Sequence, residues 1–489
     1  MKRIPLVILL SIIFTTNCYN VSGQSTSYVD DFDWMVKTFE QNDAGFPYYF
    51  EEKGETAYKE FTHGMREKIR NAKSEQEFLS VMNDWLHYFR RGHIGVFPKR
   101  NWEISEKEKE SIRNMYRDED KIDLTQQDFL NYLEENKDRI DPAEGIWEFG
   151  MYRVGMIRSE KENQYDAFII NADSVYWLPQ QKKAEFKLKK DGNFGVRLST
   201  LNHSILETTG NWTGTSHGII SLKQGGHWIR RYPQVNFTEK ESFFLDILSG
   251  KLMIRKLSDR TVYLRIASFR LEEKEAIDRL LASNDHLIRS AENLIIDIRD
   301  ATGGSDYSHE GLIPYYYTQP IRQVGLKYRA TELNAFTYEN YAKKYQDSPY
   351  LSHFLFIARK MRENIGKYYD PEQDITIIEL PEILKNPRKI GIIYNQNNAS
   401  SDEGLLYMAR QSYKVKLFGK PSFGAFDMSN VNIIDFPNGK YVLWCAMSVS
   451  KRFPEYKIDN IGIQPDFFMD DSIKEEDWVE FVQEVMEKK

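Results

Sequence analysis

Cysteine is almost absent from this chain. Only Cys18 and Cys445 occur among 489 residues. Cys18 falls in an amino-terminal stretch that reads as a removable export signal, so the mature chain keeps one cysteine and cannot close an intramolecular disulfide. Cys445 sits in the apolar run Tyr441–Met447 and reads as a buried small hydrophobe. No lysine- or arginine-rich block occurs and the formal net charge is −7, which argues against a nucleic-acid partner. His203, His217 and His227 stand without metal-ligand spacing. No His-Glu-x-x-His, phosphate loop or dinucleotide fingerprint is present, so neither a metal nor a cofactor is expected. Past the first residues no apolar run is long enough to span a bilayer. Internal repeats and low-complexity tracts are also missing.

What is present is ordinary for a soluble globular chain, with 41% apolar, 28% charged and 14% aromatic residues. The length suffices for about two to four domains. Lys2 and Arg3, the apolar stretch Pro5–Phe14 and the small-residue site Val21-Ser22-Gly23 make residues 1–23 a signal peptide, with Gln24 as the new terminus. Export to the periplasm or the medium follows. A lipid anchor on Cys18 is the rival reading. It is disfavoured because Asn17 replaces the small residue that a lipoprotein box requires.

Residues 24–140 read as helical. Asp33–Glu40, Glu55–Ala72, Ser74–Tyr88 and Gln126–Asn136 carry apolar residues at three- and four-residue spacing, and Ser74 followed by early acids opens its helix. The pattern turns strand-like over 141–237, where short runs such as Tyr152–Ile157 and Ala184–Leu188 are separated by Gly, Asn and Asp turns. This predicts an inserted all-β domain, a barrel or a sandwich. Gly145-Ile146-Trp147 is similar to the start of lipocalin-like barrels, although a tryptophan plugging a barrel end explains it equally well. Over 238–470 strands and helices alternate as in an α/β layer: strands at Thr261–Phe269, Asn293–Ile298, Lys389–Tyr394 and Lys414–Phe418, with helices at Glu272–Ala291, Tyr338–Lys360 and from Ser401. A helix over Ser472–Glu487 closes the chain.

The most informative segment is Asn397-Asn398-Ala399-Ser400-Ser401-Asp402-Glu403, between an apolar strand and an amphipathic helix. A serine there lies among unpaired N–H groups at the positive end of a helix dipole, where charge on an attacked carbonyl oxygen can be stabilised. Ser400-x-x-Glu403 is equally a capping box. Leu294–Gly304 is a buried strand entering a glycine turn, in which Asp297 and Arg299 pair locally.

Taken together, Leu294–Gly304, Ser400–Glu403, Phe418–Gly424 and Ile458–Asp466 resemble, in order and spacing, the serine peptidases that include the C-terminal processing (tail-specific) proteases and the tricorn core protease. The resemblance spans about 261–470. It implies a ClpP/crotonase-like α/β core and hydrolysis of peptides or unfolded proteins. Tail-specific members use a lysine directly after the Ser-Phe-Gly turn, and here that position is Ala425. Tricorn-like members use a histidine after the N-terminal helices, and Arg91-Gly92-His93-Ile94 fits that place, with Arg91 where an acid is usual. The resemblance therefore implies Ser400 as nucleophile, His93 as base, Asp459 as the acid that orients it directly or through a neighbour, and an oxyanion hole from Ser401, Gly303 and Gly304. Ser401 is a rival nucleophile and His309 a rival base. The departures at Arg91 and Ala425 keep a second function open, a catalytically inactive peptide- or apolar-ligand-binding protein on the same fold. The β-rich insert either gates the cleft or is simply a packed domain.

Overall fold

A computed structural model describes residues 27–99, 106–347, 350–370 and 373–488. The stretch expected to be an export signal, with Cys18, lies outside them. The described chain divides into two compact units: one joins the residues up to Lys99 to those from Gly250 onward, and the other is the stretch between, ending at Ser249.

In the first unit the amino-terminal helices are Tyr28–Asn42, Phe46–Lys53, Glu55–Asn71 and Glu75–His87. Ser27 caps the first of them: its hydroxyl accepts the Asp30 N–H, and the Asp30 carboxylate accepts the Ser27 N–H. Helical spacing puts Phe32, Met35 and Phe39 on one face, and Phe78, Met82, Trp85 and Leu86 on another. Both faces are fully buried in a cluster with Met428, Ile434, Leu443, Cys445 and Val449. Each such side chain contributes on the order of 2 kcal/mol through burial. The early helices are thereby fastened to the late hairpin Met428–Asp435 and Tyr441–Ser450. The strand Gly95–Pro98 makes the same join through hydrogen bonds, running antiparallel to Tyr441–Trp444 with Gly95 opposite Trp444. The residues just before Gly95 are therefore held against the carboxy-terminal half of the chain.

The core sheet has six strands, in the order Met253–Lys256, Thr261–Arg265, Asn293–Asp297, Lys389–Tyr394, Val415–Gly419 and Phe467–Phe468. The first pair is antiparallel and the rest are parallel. Ile296 lies opposite Ile392, and Ile392 opposite Leu417, the continuous apolar character that parallel strands buried on both faces require. Because the central strands run one way, the turns after Asp297, Tyr394 and Gly419 gather at one edge of the sheet, the usual position for chemistry in open α/β layers.

The single helix expected over Tyr338–Lys360 is instead a pair, Glu332–Lys344 and Leu351–Glu363. Pro349 lacks the N–H that a helix interior needs, and splitting the segment lets Tyr338, Tyr341, Phe354, Ile357 and Met361 share one buried cluster. The helix Phe46–Lys53 was not anticipated; Pro47 occupies its first turn, where a missing N–H costs nothing. The closing α-helix is Trp478–Glu487, preceded by a short 3-10 turn at Glu475–Asp477.

In the second unit eight strands between Gly145 and Tyr232 close into a barrel. Closure comes from His227–Tyr232 pairing with Gly145–Phe149. Trp147, Phe186, Phe194 and Trp228 are fully buried and fill it. Trp147 donates its indole N–H to the Ala143 carbonyl at 2.9 Å, which satisfies its buried polar atom. The helices Glu106–Met115, Gln126–Glu135 and Glu239–Leu248 belong to this unit, and Phe129 and Leu133 pack on Ile146, Phe168 and Ile170.

Among the described residues no helix is long and apolar enough to cross a membrane.

Candidate active site

Ser400 follows the strand Lys389–Tyr394 and precedes the helix Ser401–Ala409. Its backbone sits at φ 61°, ψ −118°. An ordinary cap is extended, as Ser27 is at φ −75°, ψ 159°. A non-glycine residue in the Ser400 conformation costs about 1–3 kcal/mol and persists only where its surroundings enforce it. They do so here. The Ser400 N–H donates to Glu403 Oε2 at 3.1 Å and to the Ala425 carbonyl at 3.2 Å. Glu403 is fully buried and also accepts from the Ser422 hydroxyl and from the N–H groups of Gly424 and Ala425, both at 2.8 Å. Burial pushes the Glu403 carboxyl above its usual range, and these donors oppose the rise. One carboxylate thus reaches back to the head of the helix and clamps the 422–425 turn beside it.

Asp402 performs the same service on the other flank. Its Oδ2 accepts from Gly303 N–H at 3.1 Å, Asn398 Nδ2 at 3.0 Å and Ala399 N–H at 3.3 Å. Burial lifts its carboxyl to about 7. Asn398 in turn donates to the Ile298 and Ala301 carbonyls, tying the nucleophile turn to the turn after Asp297. At the base of that turn, Arg299 grips Asp297 with 2.7 Å between Nη2 and Oδ2.

His93 has φ 55° and lies two residues before Gly95. Its Nδ1 meets the Met428 carbonyl. A carbonyl only accepts, so Nδ1 carries the hydrogen and Nε2 is left with its lone pair. Burial, reinforced by the Arg90 guanidinium, lowers the imidazole to about 4. The ring is therefore a neutral base of fixed tautomer at pH 7. The loop that carries it is held by Arg90, which is fully buried, binds Asp43 through 2.8 Å and 2.6 Å contacts, and donates to the Gly92 and His93 carbonyls at 3.0 Å and 3.2 Å. Asp43 also accepts the N–H groups of Gly45, Phe46 and Ala446. Arg90→Met strands this carboxylate and should cost about 3–5 kcal/mol of stability, read as a lowered denaturant midpoint. Arg91, by contrast, is exposed, and among the described residues only its backbone N–H is engaged, by Asn460 Oδ1 at 2.8 Å.

Asp459 is buried and does not touch the imidazole. It accepts the N–H groups of Phe426, Asp427 and Met428 at 2.7, 2.6 and 3.3 Å. Met428 is the residue whose carbonyl receives His93, so the acid meets the base through one backbone residue. Burial, then the neighbouring Asp427 charge, pushes the Asp459 carboxyl up.

Ser400 and His93 line one pocket of about 260 Å³, together with Gly92, Arg270, Thr302, Gly303, Gly304, Ala399, Phe423, Ala425, Val431, Ile433 and Trp444. Every lining residue belongs to the first unit. Ser401 does not line it; its hydroxyl is buried with no hydrogen-bond partner among the described residues. His309 is also absent from the lining. Its Nε2 lies 3.5 Å from Asp306 and its ring packs edge-on to Phe269. Of the three expected oxyanion donors, Gly303 has its N–H committed to Asp402; Gly304 and Ser401 have no such commitment to a described carboxylate. The Gly304 backbone lies at φ 151° against the Phe269 carbonyl, which a Cβ would approach to 2.2 Å. Gly304→Ala should therefore displace the turn, lowering both kcat/KM and melting temperature. The histidine loop packs closely on Ala425, whose Cβ lies 2.2 Å from where a Gly92 side chain would begin.

Residues 260–469 match peptidase family S41. The α/β core is a serine peptidase of that family. No curated protein matches the chain in sequence. Among solved structures, mature CPAF complexed with lactacystin is 12% identical, with 94% of this chain and 97% of that one covered and a TM-score of 0.51. The photosystem II D1 C-terminal processing protease is 11% identical, over 92% and 95% of the two chains, at a TM-score of 0.36. The tricorn protease is 12% identical, over 94% of this chain and 36% of that one, at 0.37. The CPAF likeness speaks for the fold alone.

Sequence reading missed Asp43, Arg90, Asn398 and Asp402. Asn398 and Asp402 flank Ser400 and could have been picked out as polar residues in an otherwise apolar strand-to-helix junction. Nothing in the sequence links Asp43 to Arg90.

Proposed function

We propose that this S41 core is an exported endopeptidase that forms an acyl-enzyme at Ser400 with His93 as general base. The observation that carries the reading is the convergence, on one pocket, of a serine held in a strained backbone conformation and a neutral imidazole whose Nε2 is an acceptor. Ser400 Oγ attacks the scissile carbonyl carbon while His93 Nε2 takes its proton. The oxyanion is met by the N–H groups of Ser401 and Gly304. The C–N bond breaks as His93 returns the proton to the leaving amine. Water then attacks the ester, His93 again taking and returning the proton, and Ser400 is regenerated. Asp459 is a positioning residue that fixes the Met428 carbonyl and hence the tautomer of His93. Export rests on residues 1–23.

The reading is tested with unfolded casein and a quenched internal peptide. Internal cleavage products should appear, and rapid quenching should trap a covalent adduct on the protein by intact mass. Peptide binding without either cleavage or adduct would leave only a binding protein on this fold.

A further inference from the structure

The pocket's lining combines apolar side chains with a single cation. Phe423, Val431, Ile433 and Trp444 supply the apolar wall. Phe97 packs on Trp444 with ring centroids 4.9 Å apart and extends that wall outward; Phe97 and Phe423 are each exposed by about two fifths. Arg270 is the one Lys or Arg residue in the lining. It is exposed, and among the described residues no carboxylate pairs with its guanidinium. The chain carries a net charge of −7, and the buried arginines Arg90, Arg299 and Arg452 all have carboxylate partners.

The position of Arg270 is fixed by backbone. Phe269 bridges Gly304, the Ser305 N–H donates to the Phe269 carbonyl at 2.8 Å, and the Ser308 hydroxyl donates to the Arg270 carbonyl at 3.1 Å. The Arg270 nitrogen would stand 2.6 Å from a Gly304 Cβ. Arg270 is thus anchored on the outer side of the glycine turn whose inner side faces Ser400. A guanidinium offers a planar fork of donors that matches a carboxylate.

We infer that Arg270 is a specificity-determining residue that binds a substrate carboxylate close to the scissile bond, while the Phe423–Trp444 wall takes a neighbouring apolar side chain. The substrate class is then a peptide carrying an apolar residue beside a carboxylate, supplied either by an Asp or Glu side chain or by the peptide's own C-terminus. The inference rests on the proposed site for its location, but not on turnover.

The test uses the full mature chain and peptides that differ only in that group: Glu against Gln, and a free C-terminus against its amide. Dissociation constants are measured by calorimetry on Ser400→Ala protein, with and without Arg270→Gln, and kcat/KM on protein with Ser400 intact. The carboxylate form of at least one pair should be favoured by roughly 10- to 100-fold, the range for a charge-assisted hydrogen bond. Arg270→Gln should collapse that ratio toward one, and Arg270→Lys should restore part of it. Which pair responds identifies the source of the carboxylate. A ratio near one in both pairs, or a preference that survives Arg270→Gln, overturns the inference. A carboxylate preference in binding without any turnover would overturn the peptidase reading and leave this one standing.

Discussion

Ser400→Ala is expected to lower kcat by roughly 10,000- to 1,000,000-fold, the range seen when the nucleophile of a serine hydrolase is removed, with little loss of stability. The second half follows from the backbone. The strained φ of Ser400 is enforced by Glu403, Ala425 and the Asn398–Asp402 pair, none of which depends on the hydroxyl. The variant should therefore keep its melting temperature within a few degrees while casein hydrolysis disappears. Activity persisting in this variant would transfer the chemistry to another residue. Ser401 is poorly placed for it, being buried and outside the pocket lining.

His93→Ala should cost kcat by a comparable factor, since a nucleophile and its base act as a unit and their losses do not add. The pH profile gives a sharper test. Burial, with the Arg90 charge behind it, holds the imidazole at about 4, against an ordinary histidine value near 6.5. A general base works only unprotonated, and a lowered value keeps it so to lower pH. kcat/KM should thus stay nearly flat from about pH 7 to pH 5 and fall as pH drops through the region of 4. An acid limb centred near 6.5 would mean that the free enzyme holds His93 in a more open setting. Arg90→Met, apart from its cost in stability, removes the cation beside the ring and should move the limb of any surviving folded protein upward.

The catalytic layer was legible because its signals are local. An apolar strand, a polar turn and a helix with Glu at the third position read as one unit at Lys389–Ala409, and the glycine turn after Leu294–Ile298 read as another. The barrel was legible as short strands but not as a closed object, because closure depends on the pairing of Gly145–Phe149 with His227–Tyr232, some eighty residues later. The link from acid to base was expected as direct or through a neighbour, and the neighbour could not be named: it is a main-chain carbonyl, that of Met428, and a carbonyl leaves no mark on residue identity. Arg91 drew notice as a departure from pattern, yet it faces outward, while the cation that acts on the base is the preceding residue, Arg90. Gly303 was expected among the oxyanion donors. Its N–H is instead used by Asp402, a residue that sequence alone marks only as an acid in a helix's first turn. The division of Tyr338–Lys360 was missed because apolar residues keep helical spacing across a proline.

Peptide mapping after reaction with a serine-directed phosphonate tests the assignment of Ser400 and His93 most sharply. A single adduct is expected on the peptide containing Ser400, formed in the intact protein, absent from Ser400→Ala and slowed by several orders of magnitude in His93→Ala. An adduct on any other residue, or labelling of Ser400 at an unchanged rate without the His93 imidazole, would contradict it.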